Sequence, residues 1–342
     1  MVERLSDPSP IQAVSRALSS AKRILAVTHI NPDGDAIGSL VGIGHIAVTL
    51  GIDIRLYCET PPPQHLNWLH SPTPIISSIE ELSPWQPDCI IFLDCAEDTR
   101  AGQRIVDYLA ERQDKTELRT ICIDHHISNP NFADINWIDA SMGATGMMVA
   151  LLAKEFGIPL SGDLGEAICL AIISDTGSFS FANTTALALE LTAEIVRNGQ
   201  SMAEFTAKYE NHWTLSRMHL WGALMQDVRI LCDGKVVMSV VTDEMLKQYN
   251  APTAYLEDYA SWLRRLAKTK VVVLVRPKRI GSKISLRSMG DVDVQQIATA
   301  FGGGGHKGAA GMDMAEQPQV AADKVLNAIY LALGVSCPNA EN

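Results

Sequence analysis

Short apolar stretches recur through the first half of the chain at Ile24 to Thr28, Ile52 to Tyr57, Asp88 to Leu93 and Arg119 to Ile123, and each has the length of a strand. Between and after them, Ala36 to Leu50, Ala144 to Phe156 and Gly165 to Ile173 carry apolar residues at helical length and spacing. Alternation of this kind predicts parallel βαβ units in a sheet covered by helices, with ligands gathered at the carboxyl ends of the strands. From Thr184 to Met225 the pattern turns wholly helical, broken at "RNGQS" and near "NHWT". A second group of strands follows at Asp227 to Leu231, Lys235 to Val241, Lys270 to Arg276 and Lys283 to Arg287, with "CDG" as a hairpin turn. The change of pattern puts a linker between about Val196 and Trp213.

Length supports that division, because 342 residues exceed the usual size of one compact core. With 47% apolar and 20% charged residues the chain reads as folded rather than disordered. The start "MVERLSDPSP" has no apolar leader and no later run approaches the roughly 18 residues of a membrane span, so a cytoplasmic location is expected. Seven scattered cysteines without a CxxC pair point to reduced, mostly buried thiols. A net charge of −11 argues against a broad basic face holding long duplex nucleic acid. A phosphate-bearing ligand must then be caught by a few local cations or by metal.

Candidate chemistry sits where apolar elements end. "VTHINPDGDAIGSL" crowds His29, Asp33 and Asp35 behind the first strand; "IFLDCAED" ends on Asp94; "TICIDHHIS" ends on Asp124, His125 and His126; "IISDTGSF" puts Asp175 just beyond an apolar helix. Five carboxylates and three imidazoles converge on one sheet edge. Carboxylates packed so closely repel, so either some take up protons or divalent cations sit among them. The mixed oxygen and nitrogen set suits Mn²⁺ first, with Mg²⁺ or Fe²⁺ also admissible. In the second half, "FGGGGHKGAAG" offers backbone amides and a histidine to a phosphate, and Arg287 ends the strand "KISLRS". "YASWLRRLAKTK" reads as an amphipathic helix with Trp262, Leu263 and Leu266 inward.

The ordered set "HINPDGDAIGS", Asp94, "DHH", "SDTGSF", "SLRS" and "GGGGHKGAAG" resembles the DHH phosphoesterases that carry a DHHA1 domain, and among them the nanoRNases, bifunctional oligoribonucleases and 3′-phosphoadenosine 5′-phosphate phosphatases. The resemblance runs from about Ile24 to Gly311. It implies an α/β fold: a mainly parallel five-stranded sheet with flanking helices over residues 1–195, a linker over 196–212, and a smaller mixed-sheet α/β domain over 213–342, with the active site in the interdomain cleft. It also implies two ions, one held by His29 and Asp33, the other by Asp35, His125 and Asp175, with Asp94 between them. His126 then faces the phosphate, Asp124 orients an imidazole, and Arg287, Gly302, Gly303, Gly304, Gly305 and His306 hold the nucleotide. The implied activity is hydrolysis of short oligoribonucleotides to mononucleotides, with 3′-phosphoadenosine 5′-phosphate as a second substrate and a homodimer admitted.

Met147 departs from the acidic residue many relatives carry after their Ala-Thr-Gly, which bears on substrate preference rather than on hydrolysis. A variant of the reading takes cyclic or linear dinucleotides as substrate. Inorganic pyrophosphatases share the first ligand pattern, but the glycine motif and the length argue against one. A long-strand exonuclease is disfavoured by the acidic charge and the size. A non-catalytic nucleotide sensor needs a missing metal ligand, and none is missing.

Overall fold

The computed structural model describes residues 9–111, 118–210 and 213–335. It divides into two compact units, Met1–His212 and Trp213–Asn342. Among the described residues no helix is long and apolar enough to cross a membrane.

In the first unit the elements run α1 (Pro10–Ser20), β1 (Arg23–Thr28), α2 (Gly34–Thr49), β2 (Asp53–Tyr57), β3 (Ile75–Ile76), β4 (Cys89–Leu93), α3 (Gln103–Glu111), β5 (Arg119–Asp124), β6 (Ile135–Ile138), α4 (Thr145–Glu155), α5 (Gly162–Asp175), α6 (Ala186–Arg197) and α7 (Met202–Glu210). The sheet order is β3-β2-β1-β4-β5-β6 and every pairing is parallel. The sheet thus has six strands where five were expected. β3 is two residues long and β6 is the half-buried "INWI", so the flanking strands carry too little apolar pattern to announce themselves.

β1 and β4 are buried along almost their whole length because each sheet face is covered. Successive side chains point to opposite faces. Ile24, Ala26, Ile91 and Ile123 pack with α2, α4 and α5 on one side, and Leu25, Val27, Phe92 and Cys122 pack with Ile105 of α3 on the other. The strand order reverses between β1 and β4, which leaves a crevice at their carboxyl ends. The helix layer above that crevice is tight: a Cβ on Gly146 would lie 2.2 Å from the Ala171 Cβ, so only glycine lets the start of α4 reach α5.

The second unit contains α8 (Leu215–Gln226), β7 (Arg229–Leu231), β8 (Val236–Val240), α9 (Asp243–Gln248), α10 (Tyr259–Leu263), β9 (Val271–Pro277), β10 (Ser282–Ser288), α11 (Val294–Ala300), β11 (Gly304–His306), β12 (Ala309–Met314) and α12 (Pro318–Leu333). Its mixed sheet has the order β11-β12-β10-β9-β8-β7, parallel only between β8 and β9. α11 and α12 cover one face, and α8 and α10 cover the other. The "YASWLRRLAKTK" stretch forms a single short helix rather than a long amphipathic one, and of its three expected inward residues only Leu263 is buried, Trp262 and Leu266 being 38% exposed. Six described cysteines are free thiols, five of them buried.

Candidate metal centre

β1, β4 and β5 are neighbours in the sheet, so the residues that follow or end them meet at one edge. His29 follows β1, Asp94 follows β4, and Asp124, His125 and His126 end or follow β5. Asp94 has a left-handed backbone, φ 57°, a conformation that costs most side chains energy but that aspartate tolerates. Its amide donates to the Ile123 carbonyl, which anchors the turn. The exposed Arg100 contributes its carbonyl, which accepts from the Ile30 amide and steadies the loop behind His29.

Asp33 is the N-cap of α2 and accepts from the Asp35 and Ala36 amides at 3.0 and 3.1 Å. Asp35, two residues on in the first turn and fully buried, accepts from the Thr145 and Gly146 amides at 2.7 and 2.9 Å and from Ser39 Oγ at 3.0 Å. Those amides open α4, so a helix N-terminus supports the Asp35 charge. Asp175 is the last residue of α5 rather than the first beyond it, because the helix continues past the apolar run.

Three groups of donors overlap here. His29, Asp33 and Asp94 form one, Asp35, His125 and Asp175 another, and Asp94, His125 and His126 a third that joins them, the donor atoms in each lying within 4.8 Å of one another. Asp94 belongs to both sides: its Oδ2 is 3.4 Å from His29 Nε2, and its Oδ1 is 3.5 Å from His125 Nε2. His125 Nε2 also lies 3.5 Å from Asp175 Oδ2 and 3.8 Å from Asp35 Oδ2. The opposite ring nitrogens are tied to carbonyls, His29 Nδ1 to Ile30 at 2.9 Å and His125 Nδ1 to Met142 at 3.2 Å. Donation from Nδ1 leaves Nε2 of each ring, once it gives up its proton, with a lone pair for a cation, the arrangement of a metal-ligating imidazole.

Electrostatics fit the same donors to cations. Burial, then the charges of Asp94 and Asp175, push the Asp35 carboxyl well above its usual range. Burial also raises Asp175 to about 7, with His125 opposing and Asp94 adding to the shift. Asp94 moves the other way: burial opposes its charge, but the His29 hydrogen bond and the His125, His29 and His126 rings hold it well below the carboxylate range. Without cations the cluster keeps its acids only by protonating some of them. The oxygen and nitrogen set suits hard or borderline divalent ions.

His126 is built differently. Its Nδ1 lies 2.7 Å from Asp124 Oδ1, and Asn129 Nδ2 donates to Asp124 Oδ2 at 2.7 Å. Burial opposes charge on the ring, but the Asp124 hydrogen bond and the Asp94 and Asp124 charges outweigh it and raise His126 to about 9.

In the second unit Arg287 is half-buried, its Nε donating to Ser261 Oγ at 3.2 Å and its Nη1 to the Leu286 carbonyl at 3.0 Å. Burial, then the charges of Arg264 and Arg276, lower its pKa, with Asp258 opposing. The glycine run is not one open loop. Gly302 and Gly303 turn after α11, while Gly304 and Gly305 enter β11, where a Cβ on Gly305 would lie 2.5 Å from the Ala309 carbonyl. His306 pairs with Ala309 through its backbone, and its side chain lies outside the described residues.

The Thr145 and Gly146 amides, Asn129, Arg264 and Arg276 were not singled out from sequence. Backbone donors leave no side-chain signature, although "ATG" opening a helix was a usable signal. Met147 is fully buried in the first core, which explains an apolar residue there.

Residues 23–172 match the DHH family, N-terminal domain, and residues 233–332 match the DHHA1 domain. The chain is 31% identical over 84% of its length to the bifunctional oligoribonuclease and PAP phosphatase NrnA of Thermus thermophilus, covering 83% of that protein. It is 26% identical to the Bacillus subtilis protein of the same name, with 91% of this chain and 95% of that one covered. An exopolyphosphatase-related protein from Bacteroides fragilis shares the fold at a TM-score of 0.85 and 22% identity, with 95% of each chain covered. Two domain matches in order, and a relative of this identity over most of both chains, place the chain in the DHH family, among the members that join a DHH domain to a DHHA1 domain.

Proposed function

We propose that the chain is a two-metal phosphoesterase that hydrolyses short oligoribonucleotides to mononucleotides and also removes the 3′-phosphate of 3′-phosphoadenosine 5′-phosphate. The observation that carries the reading is Asp94, whose two oxygens face different imidazoles, Oδ2 that of His29 and Oδ1 that of His125. The names of the relatives in Thermus thermophilus and Bacillus subtilis supply the substrate class.

When bound, two divalent ions, Mn²⁺ by the donor set, would supply positive charge for the phosphoryl group and lower the pKa of water. His29 and Asp33 would hold one, Asp35, His125 and Asp175 the other, and Asp94 would contact both. Asp35 is kept from turning by the α4 amides and Ser39, so the donors are pre-organised. His126, its Nδ1 tied to Asp124, is assigned to a phosphoryl oxygen, and Asn129 keeps Asp124 aimed. Arg287, the amides of Gly302 to Gly305 and His306 are assigned to the nucleotide, so that chemistry and capture fall to different units.

The assay that tests this compares kcat/KM on dinucleotides, longer RNA, cyclic dinucleotides, 3′-phosphoadenosine 5′-phosphate and pyrophosphate with Mn²⁺ present. Preference for di- to tetranucleotides and 3′-phosphoadenosine 5′-phosphate is expected. Preference for pyrophosphate or for the longest strands would overturn the assignment.

A further inference from the structure

We propose a second, separate cation site on the first unit, formed by His45, His70 and Asp163 and suited to Zn²⁺. One donor atom from each residue lies within 4.8 Å of the other two. His45 sits on α2, ten residues beyond Asp35, and at the helical rise this is about 15 Å from the catalytic centre. His70 belongs to the loop between β2 and β3, and Asp163 to the first turn of α5.

The arrangement is held from below. His45 Nε2 lies 3.0 Å from the His70 carbonyl. That contact holds the His45 ring of α2 against the loop that carries His70. The loop is seated close by, since a Cβ on Gly44 would come 3.0 Å from Pro72 Cγ, and Trp68 packs edge-on against Phe205. His70 Nδ1 is 2.8 Å from Asp163 Oδ2. That is a hydrogen-bond distance; an ion taking the proton's place, with bonds of about 2.0–2.2 Å, would hold the two ligand atoms roughly 3.3–3.6 Å apart, a small opening for exposed side chains. As a plain ion pair His70 and Asp163, 69% and 50% exposed, have little value for stability and no need of a second imidazole alongside. Two imidazoles and one carboxylate are a set for a borderline ion, with a remaining position for water. A bound ion would staple the loop to α2 and α5.

The test titrates Zn²⁺ into full-length protein with Mn²⁺ in excess and counts bound zinc by dialysis and elemental analysis. The wild type is compared with His70→Gln and with His70→Gln/Asp163→Asn, positions exposed enough to leave the fold intact. Exchange of zinc into the catalytic centre is common to all three, so the difference isolates this site. The expected result is one zinc equivalent lost in both variants, together with loss of a zinc-induced rise in Tm. Equal zinc counts in wild type and variants would overturn the proposal and leave the phosphoesterase reading untouched.

Discussion

Among individual residues, Asp124 and Asn129 act through the His126 ring. Both are buried, and together they hold the His126 ring and its proton. Asp124→Asn is expected to lower kcat by about 10- to 100-fold while bound metal stays the same, because it removes the group that orients and charges the ring. Kinetics and metal analysis on one preparation check both halves. Arg287→Ala should raise KM for nucleotides by about 1.5–3 kcal/mol of lost binding with metal unchanged, and a small chromogenic phosphodiester should suffer less. Equal losses on both substrates would assign Arg287 to the chemical step. The titrating groups also set the pH behaviour of the metal-free protein. His126, raised from 6.5 to about 9, contributes stability that is full below about 6.5 and lost as pH rises through about 9. Asp175, raised from 3.8 to about 7, is likewise protonated more readily when folded, so its contribution falls as pH rises from about 4 to 7. Thermal melts in chelator should therefore show Tm falling across that whole range. Saturating metal should flatten the slope.

At the scale of elements, the site depends on three helices meeting above the strand ends. α2 presents Asp33 and Asp35 at its start, α4 presents two amides at its start, and α5 presents Asp175 at its end. Gly146→Val would drive a side chain into Ala171 and push α4 outward. A loss of about 1–3 kcal/mol in stability is expected, with weaker metal binding as Asp35 loses its amides. Unchanged metal affinity would mean that Asp35 does not need that support. Legibility in the sequence follows the same division. Runs such as "IIFLD" announce both a doubly covered strand and the acid at its end, because burial removes polar residues up to the point where the chain emerges. β3 and β6 were missed as separate strands because edge strands need little apolar length. Trp262 was placed inward by its spacing, but the helix that carries it ends at Leu263 and leaves the ring partly exposed beside Trp221. The metal donors were legible as side chains; the α4 amides beside Asp35 and the Arg264 and Arg276 guanidinium groups near Arg287 were not, since packing within each unit alone brings them close.

For the whole molecule, a net charge of −11 means that attraction to RNA must come from local groups. Affinity should drop as RNA lengthens beyond a few nucleotides, and its salt dependence should be shallow. Titrations of 2-mers through 24-mers at several salt concentrations read this directly, and tight, steeply salt-dependent binding of the longest strands would favour a long-strand exonuclease. The most direct test of the central claim is Mn²⁺ stoichiometry in wild-type and Asp94→Asn protein, measured in metal-limited buffer beside kcat/KM on a dinucleotide. The account predicts two tightly bound ions in the wild type, fewer in the variant, and hydrolysis abolished. An Asp94→Asn protein that kept both ions and the wild-type rate would contradict it.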